Sequence, residues 1–350
     1  MDNFYLNKNV FITGHTGFKG SWLTYWLLKL GANVTGYSKD LPTNPSLYDQ
    51  LKLSTYLEND YREDILDLQK LKDCLQVSKA DIVFHLAAQP IVSESYLNPL
   101  NTFSTNLIGS LNLFETLRCC SNESVVVFIT SDKCYENKEW IYGYREEDNL
   151  GGKDPYSASK ACAEIGLRAL GLSFPQRTFR YCTSRAGNVI GGGDWSIDRI
   201  VPDCIRRWTD NKPVVIRNPS ATRPWQHVLE PISGYLELAK TLSENQSLDG
   251  NSFNFGPPTS QDVTVGEICN LLSKDWPGAK IRINESLSIG RESSLLKLDI
   301  SKSLSLLKWS PRLSIEECAS MTANWYLQMR DGTSPQDLCN SDINFYMDKS

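Results

Sequence analysis

The chain has 350 residues, 41% of them hydrophobic and 22% charged, which is enough for a large globular α/β unit with an additional lobe. The formal net charge is −5 and there is no lysine- or arginine-rich block, which argues against a nucleic-acid-binding protein. There is no apolar run of about 18 residues, which argues against a membrane-spanning protein. The chain has ten cysteines but no C-x-x-C pair, and no signal-peptide pattern, which predicts a reduced, cytoplasmic protein. It has only three histidines (His15, His85 and His227), so we expect no metal site.

Short apolar strands alternate with helices in the first half of the chain. The pattern predicts strands at 9–13 and 33–37 with a helix over 18–30 between them, and further strands at 81–86 and 124–130. Such near-continuous apolar runs are typical of parallel strands that are covered on both faces. The alternation therefore predicts an α/β fold with a Rossmann-type doubly wound parallel sheet, whose ligand lies across the carboxyl ends of the strands.

The character of the sequence changes after residue 187. Glycines and prolines, among them Gly191–Gly193 and Pro257–Pro258, separate shorter elements there. We therefore expect a dinucleotide-binding domain over 1–187 and a smaller mixed α/β lobe over 188–350. Because 228–242 has a helical pattern, the segment 224–254 is expected to return to the sheet, so that the two parts are interleaved.

A glycine-rich segment follows the first strand directly and opens the first helix. Glycines at these positions permit a tight turn and let backbone N–H groups approach a pyrophosphate, whose charge the helix N-terminus favours. The strand before it and the helix after it distinguish this segment from an ordinary turn. The sequence therefore predicts cofactor contacts from Gly14, Thr16, Gly17, Phe18, Lys19 and Gly20.

The residues after the second strand bear on the type of dinucleotide. Asp40 lies 20 residues beyond Gly20, where a carboxylate can accept a hydrogen bond from a ribose 2′-hydroxyl, and Ser38 could assist it. No arginine is near enough in sequence to bind a 2′-phosphate. The pattern favours NAD over NADP, and the alternative for Asp40 is a solvated loop acid.

Tyr156 and Lys160 are four residues apart in a predicted helix and therefore share one face. A phenol with a pKa of about 10 is a poor base at neutral pH. A neighbouring ammonium and a positively charged nicotinamide would lower that pKa, so that the phenolate could take a hydroxyl proton while hydride leaves carbon. The alternative is a pair of residues on a surface helix.

The G-x-x-G-x-x-G spacing and the Y-x-x-x-K pair resemble the extended short-chain dehydrogenase/reductase family, and the resemblance extends over residues 8 to 330. It implies that the family's supporting helix motif lies at 106–110. It also implies a homodimer through helices at 100–118 and 156–172, and two such dimers could pair into a tetramer. Further cofactor contacts implied by the resemblance come from Asp64, Ile65, Leu86, Ala87, Ala88, Gln89 and Thr105.

The strand at 124–130 is followed by Ser131 and Asp132. In the family, a serine or threonine at the first position orients the substrate hydroxyl, and the sugar-nucleotide 4,6-dehydratases add an acid that protonates the departing C6 hydroxyl. The resemblance therefore implies a dehydratase in which Asp132 has a raised pKa. An epimerase or reductase on the same fold would need Ser131 but no acid at 132, and a binding protein without turnover would usually lack the Tyr/Lys pair.

Lys133 departs from the family pattern, which has glutamate here. Together with the segments 189–195 and 222–231, it resembles the subgroup that acts on CDP-glucose in the synthesis of deoxy sugars of lipopolysaccharide O-antigen. We hypothesise that Lys133 is the C5 base, because like-charge repulsion from Lys160 and the oxidised nicotinamide would favour its neutral form. A cationic stabiliser of the C4–C5 enolate and an exposed loop lysine are the alternatives.

Residues for the substrate phosphates are also implied by the resemblance. Asn188 lies in the matching segment 185–189, and the guanidinium of Arg223 suits pyrophosphate oxygens bidentately. Spacing and composition do not identify the residues that read the cytosine base. Four further candidates could equally be structural loop residues, namely Asp194, Trp195, Arg199 and Arg217.

Overall fold

The computed structural model describes residues 3–284 and 295–349. Within these ranges the strands are β1 Asn9–Thr13, β2 Asn33–Tyr37, β3 Asn59–Tyr61, β4 Ile82–His85, β5 Ser124–Ile129, β6 Phe179–Ala186, β7 Val189–Ile190, β8 Val214–Ile216, β9 Gln226–His227, β10 Ser252–Phe255 and β11 Ile281–Ile283. The helices are α1 Phe18–Lys29, α2 Leu47–Gln50, α3 Leu68–Ser78, α4 Val92–Leu97, α5 Pro99–Phe103, α6 Gly109–Arg118, α7 Pro155–Ser173, α8 Ile200–Thr209, α9 Leu229–Glu244, α10 Val265–Asp275, α11 Ile315–Arg330 and α12 Pro335–Asp348.

Seven strands form one sheet in the order β10-β6-β5-β4-β1-β2-β3, and every pairing in it is parallel. The register sets Val10 opposite Val34 on one side and opposite Ile82 on the other. The order reverses between β1 and β4, and a ligand crevice is expected at the carboxyl ends of those two strands. The predicted doubly wound Rossmann-type fold is confirmed.

Both faces of the sheet are buried, which explains the near-continuous apolar runs of its strands. On one face, Val10 and Ile12 of β1 belong to a core that includes residues of α1 and α9. On the other face, Phe11 belongs to a second core with residues of α3, α6 and α7. Alternate residues of one strand thus enter opposite cores.

The segment 224–254 brings the chain back to the sheet. Helix α9 packs on β5 and β6, and β10 pairs with β6 as the last strand. The remaining elements of the second half include two small parallel pairs, β8 with β11 and β7 with β9, and the helices α8 and α10. The boundary of the two lobes at residue 187 stays a prediction.

Two helical segments pack against each other on one face of the sheet. The first runs through α5, a π-helical turn at Ser104–Ile108 and α6. The second, α7, begins with Asp154, whose Oδ1 accepts a 2.9 Å hydrogen bond from the Ser157 N–H, and with Pro155 in the first turn. Across residues 3–284 and 295–349, no helix is both long and apolar enough to span a bilayer.

Candidate active site

A groove of about 1300 Å³ runs along the carboxyl edge of the main sheet. One part is lined by the loops after β1, β2 and β4, and the other by residues of the second half of the chain. The ends of β5 and the start of α7 lie in its lining as well. The groove therefore joins the predicted cofactor loop and the predicted catalytic residues in one cavity.

In the glycine loop, the backbone of Gly14 lies in close contact with the backbone of Ala87. Gly14 has a φ of +75°, and a Cβ built on it would lie 2.6 Å from the backbone nitrogen of Ala87. A Cβ on Gly20 would lie 2.1 Å from the Gly14 carbonyl oxygen and 2.8 Å from the Cα of His15. Only glycine fits these two positions, and the groove-lining loop leads directly into α1. These features fit a pyrophosphate of a dinucleotide at the helix N-terminus.

The structure brings nearly all of the predicted cofactor residues to the groove. Thr16 is the exception, because it is 4% exposed and donates a 2.7 Å hydrogen bond to the carbonyl oxygen of Asp40. Its side chain thus ties the glycine loop to the loop after β2, and its cofactor contact stays a prediction. The predicted residues that do line the groove are Gly14, Gly17, Phe18, Lys19, Gly20, Ser38, Asp40, Asp64, Ile65, Leu86, Ala87, Ala88, Gln89, Thr105, Tyr156 and Lys160.

The loop after β2 presents a carboxylate to the groove. Asp40 is exposed and lines it, and Ser38 is buried beside it. The neighbouring cation, Lys39, is paired with Asp64 at 2.9 Å between Nζ and Oδ2. Because Lys39 is paired with Asp64, the carboxylate of Asp40 is suited to accept a hydrogen bond from a ribose 2′-hydroxyl.

Tyr156 and Lys160 both face the groove from α7. The Nζ atom of Lys160 donates to the carbonyl oxygen of Ile129 at 3.3 Å. Burial raises the pKa of Tyr156 to about 12, while a hydrogen bond with Ser131 and the charge of Arg199 act in the opposite direction. Within the chain, burial penalises the phenolate more than the cations favour it, so the predicted lowering of this pKa depends on the added charge of an oxidised nicotinamide and stays a prediction.

Asp132 is buried at the bottom of the groove in the short turn after β5. Its Oδ1 accepts a 3.0 Å hydrogen bond from the Ser131 hydroxyl, whereas its Oδ2 is buried without a partner among the described residues. Burial raises the pKa of Asp132, although the charges of Lys133, Arg223 and Lys19 and the hydrogen bond from Ser131 oppose that rise. A buried carboxyl with a raised pKa is suited to donate a proton.

Two lysines surround this carboxyl. Lys133 is partly exposed and lines the groove, with its Nζ 6.0 Å from the centre of the Tyr156 ring. Lys19 reaches the same region from α1, where burial and the charges of Arg199 and Lys160 lower its pKa to about 8. Together with Lys160, these lysines make three amines that line the groove with Asp132 and Tyr156.

The π-helical turn holds the loop after β4 against the catalytic helix. Asn106 donates to the Ser159 hydroxyl at 2.8 Å and to the carbonyl of Gln89 at 3.1 Å. Its Oδ1 accepts a 2.8 Å hydrogen bond from the Gln89 N–H. The residue is fully buried, so these contacts fix the spacing between the cofactor side of the groove and Tyr156.

The far part of the groove contains most of the predicted substrate residues. Trp195 is the exception, because its ring packs edge-on to Tyr326 at 5.2 Å and its Nε1 donates to Gln50 at 3.2 Å, outside the lining. It packs toward α2 and α11, and its role as a substrate residue stays a prediction. The residues that line the groove are Asn188, Asp194, Arg199, Arg217 and Arg223, of which Arg199 is paired with Asp194 at 3.0 Å.

Several groove residues were not predicted from the sequence. Helix α4 adds Val92 and Tyr96, and the segment 152–154 adds Asp154. The Asp-Pro step before Tyr156 is a helix-start signal that could have indicated Asp154. Residues of α4 carry no such signal, because their position depends on the path of the loop after β4.

The histidines belong to the framework. His85 contacts Thr13 and Ser110 at 2.7 and 2.9 Å, and burial lowers its pKa to about 3. His15 contacts Asp60 at 2.8 Å. In the part of the chain that the structure describes, no group of three or more His, Cys, Asp or Glu side chains is arranged to hold a metal ion.

The sheet order, the glycine loop and the Tyr/Lys/Ser/Asp cluster define a dinucleotide-dependent enzyme of the extended short-chain dehydrogenase/reductase class. The family model "GDP-mannose 4,6 dehydratase" matches residues 11–322, and the chain belongs to this family. It is 43% identical to the CDP-glucose 4,6-dehydratase of Salmonella typhimurium, with 99% of this chain and 98% of that protein aligned. It is 25% identical to the UDP-glucose 4-epimerase of Mycoplasma pneumoniae over 91% of this chain and 96% of that protein. The predicted dehydratase family and hydro-lyase class are confirmed.

Solved structures have the same fold at lower identity. A UDP-glucose-4-epimerase from Stenotrophomonas maltophila with bound NAD matches with a TM-score of 0.80 and 20% identity, over 93% of this chain and 100% of that chain. A dTDP-glucose 4,6-dehydratase from Bacillus anthracis in complex with NAD matches with a TM-score of 0.76 and 19% identity, over 94% and 99%. These similarities establish the fold.

Proposed function

We propose that this chain converts CDP-D-glucose to CDP-4-keto-6-deoxy-D-glucose and water, with NAD as its tightly held cofactor. The observation that carries the proposal is the buried carboxyl of Asp132 in the same groove as Tyr156. Its Oδ1 accepts a hydrogen bond from Ser131, and its Oδ2 has no partner among the described residues. A 4-epimerase eliminates no water and therefore needs no acid at position 132. The 43% identity to the Salmonella typhimurium protein named CDP-glucose 4,6-dehydratase supports the same substrate.

The reaction begins with removal of a proton from the sugar O4. A bound nicotinamide would supply a hydride acceptor for C4, a hydride donor for C6 and, when oxidised, a positive charge. Tyr156 takes the O4 proton, and Ser131 orients the same hydroxyl. Because burial raises the pKa of Tyr156 to about 12, the phenol depends on nearby positive charge to act as a base. Lys160, one turn along α7, contributes to that charge.

The second half of the reaction is an elimination. The new 4-ketone acidifies the C5 hydrogen, and Lys133 is our candidate for the group that removes it. Asp132 then donates its proton to the departing C6 hydroxyl, and burial, which raises the pKa of this carboxyl, favours the protonated form that the step needs. In the groove, Asn188 and Arg223 are candidates to hold the diphosphate, and Arg217 and the Asp194–Arg199 pair lie at the same end.

We also propose a homodimer built through α5–α6 and α7. Apolar side chains on this side are strongly exposed: Leu100 is 81% exposed, Leu172 74% and Ile165 55%. Isolated exposed leucines are common, but several on adjacent helices of one face are typical of an interface. Burial of these side chains against the same helices of a second copy would form a four-helix contact.

Incubation of the purified protein with CDP-glucose, UDP-glucose or dTDP-glucose tests the proposed activity. Each reaction is run with and without added NAD, and the 4-keto-6-deoxy product is detected by the ultraviolet absorbance that it develops in alkali. We expect the product from CDP-glucose with the highest kcat/KM. A 4-epimer in place of the keto sugar would contradict the proposal.

A further inference from the structure

Glu164 and Arg185 form a buried ion pair next to the turn that carries Ser131 and Asp132. The side chains of Glu164 and Arg185 are each 3% exposed, and Nε and Nη2 of the guanidinium donate to the two carboxylate oxygens at 3.0 and 2.9 Å. The hydroxyls of Thr130, Thr183 and Ser252 donate to the same carboxylate at 2.6, 2.7 and 3.3 Å. Five donors, from β6, from β10 and from the residue after β5, thus converge on one buried carboxylate.

This pair connects the segments that hold the catalytic groups. Thr130 directly precedes the turn that carries Ser131 and Asp132. On the other side, Nη1 of Arg185 donates to the hydroxyl of Tyr135 at 3.0 Å, at the end of the same turn. The position of the turn relative to α7 therefore depends on the ion pair.

Glu164 also lies one helical turn beyond Lys160, on the same face of α7. Burial lowers the pKa of Lys160 to about 8, and the charge of Glu164 is the strongest influence in the opposite direction. Burial by itself would raise the pKa of Glu164, but the charge and hydrogen bonds of Arg185 lower it, so the carboxylate stays ionised. Glu164 thus favours the ammonium form of Lys160.

The other titratable groups near Lys160 stabilise its ammonium form less than Glu164 does. His85 is neutral, since burial lowers its pKa to about 3, and burial raises the pKa of the Cys134 thiol. Lys19 is a second amine, and its own pKa is lowered by the charge of Lys160. Among the described residues, the titratable groups on the elements around Lys160 come from α1, β4, the turn after β5 and α7, namely Lys19, His85, Asp132, Lys133, Cys134, Tyr156 and Glu164.

We propose that Glu164 is a positioning residue of the active site. It holds Thr130 and the catalytic turn in place, and its charge keeps Lys160 cationic over the pH range in which the sugar O4 is deprotonated. Arg185 keeps this carboxylate ionised and oriented. The role of Lys160 rests on the proposed function, but the charge on Lys160 can be measured without any substrate.

The test is a Glu164→Gln variant, which preserves the size of the side chain and removes its charge. Lysine labelled with carbon-13 at Cε reports the titration of Lys160 by NMR in the full chain saturated with NAD, and Lys160→Arg assigns the signal. We expect the titration midpoint and the alkaline limb of kcat to move together to lower pH by about one unit, as for loss of a nearby opposite charge. The KM for the sugar nucleotide should change little, and Glu164→Asp should restore both values toward those of the wild type.

Glu230→Gln is the matched control. Glu230 is 1% exposed and accepts hydrogen bonds from the Arg312 and Leu313 N–H groups and the Tyr346 hydroxyl, outside the groove. We expect this variant to lose stability without a change in the midpoint or the alkaline limb.

Glu164→Gln leaves a buried guanidinium without its counter-charge and could prevent folding. The double variant Glu164→Gln/Arg185→Gln removes both charges and is then measured in the same way. An unchanged Lys160 midpoint and alkaline limb in Glu164→Gln, or in the double variant relative to Arg185→Gln alone, would overturn the proposal, whatever the loss of stability. If the wild type forms no keto sugar from CDP-glucose, the proposed function fails, while the Lys160 titration still decides the role of Glu164.

Discussion

The Ser131 hydroxyl donates a 3.0 Å hydrogen bond to one carboxyl oxygen of Asp132 and leaves the other oxygen buried and without a partner among the described residues. This relationship suits the two halves of the proposed reaction, in which Ser131 orients O4 and Asp132 is the acid for the departing C6 hydroxyl. Oxidation at C4 and loss of water from C6 should therefore respond differently to substitution at these two positions.

Asp132→Asn should block the elimination and spare the oxidation. We expect kcat to fall by about 10²–10⁴-fold, the size of a general-acid contribution, while reduced nicotinamide still appears in a single turnover. In the wild type, the raised pKa of Asp132 keeps the acid form present to higher pH, and elimination should decline as the pH rises through that pKa. Stopped-flow absorbance of the nicotinamide and the yield of keto sugar measure the two steps.

Asp198→Asn is the control for this experiment, since Asp198 also lines the groove but is exposed and accepts a hydrogen bond from Ser93 at 2.7 Å. We expect its kcat to stay close to that of the wild type. An Asp132→Asn enzyme that makes keto sugar at the normal rate would assign the acid to another group.

Gly20→Ala should disrupt the cofactor loop. Its Cβ would lie 2.1 Å from the Gly14 carbonyl oxygen, and this backbone atom cannot move without a shift of the loop. We expect a loss of about 1–3 kcal/mol in the free energy of unfolding, as for overpacking, and weaker binding of NAD. Urea denaturation and calorimetric titration with NAD measure the two effects.

Gly256→Ala serves as the comparison for the glycine substitution. A Cβ there would be in ordinary contact with Leu298, at 3.5 Å, and the position is not part of the groove lining. Both the unfolding free energy and the NAD affinity should be nearly unchanged. Equal losses in the two variants would mean that the Gly14–Gly20 contact has no special role.

Lys133→Met tests the identity of the C5 base. We expect the variant to lose incorporation of solvent deuterium at C5, because no amine then remains at this position, while oxidation at C4 continues. Lys138→Met provides the control, since Lys138 lies on the exposed loop beyond the turn, 3.6 Å from Glu136. Exchange at the wild-type rate in Lys133→Met would exclude Lys133 from proton removal.

The parts of the structure that the sequence predicted well depend on local pattern. The strand predicted at 33–37 is β2, and the helix predicted at 18–30 is α1, Phe18–Lys29. The Tyr/Lys spacing placed both side chains on one face of α7, because helix geometry alone determines that relationship. The predicted return of 224–254 likewise corresponds to α9 and β10, whose apolar faces pack into the sheet.

The features that the sequence could not predict depend on contacts between distant segments. Thr16 and Trp195 have plausible positions beside the groove in sequence, but their side chains bond to Asp40 and Gln50 on other elements. The raised pKa of Tyr156 comes from burial, which no spacing reports. The Glu164–Arg185 pair joins α7 to β6, and it is visible only once the strand order is known.

Leu172→Lys should dissociate the proposed dimer. Leu172 is the second-last residue of α7 and is 74% exposed, so a lysine there suits the helix end of a monomer but not an apolar interface. Val77→Lys is the matched control, because Val77 is the second-last residue of α3 and is 64% exposed on a different surface. By sedimentation velocity we expect wild type and Val77→Lys to be dimers, and Leu172→Lys to associate at least about tenfold more weakly, or ~1.4 kcal/mol. If Leu172→Lys remained as dimeric as the control, the interface would have to lie on another face.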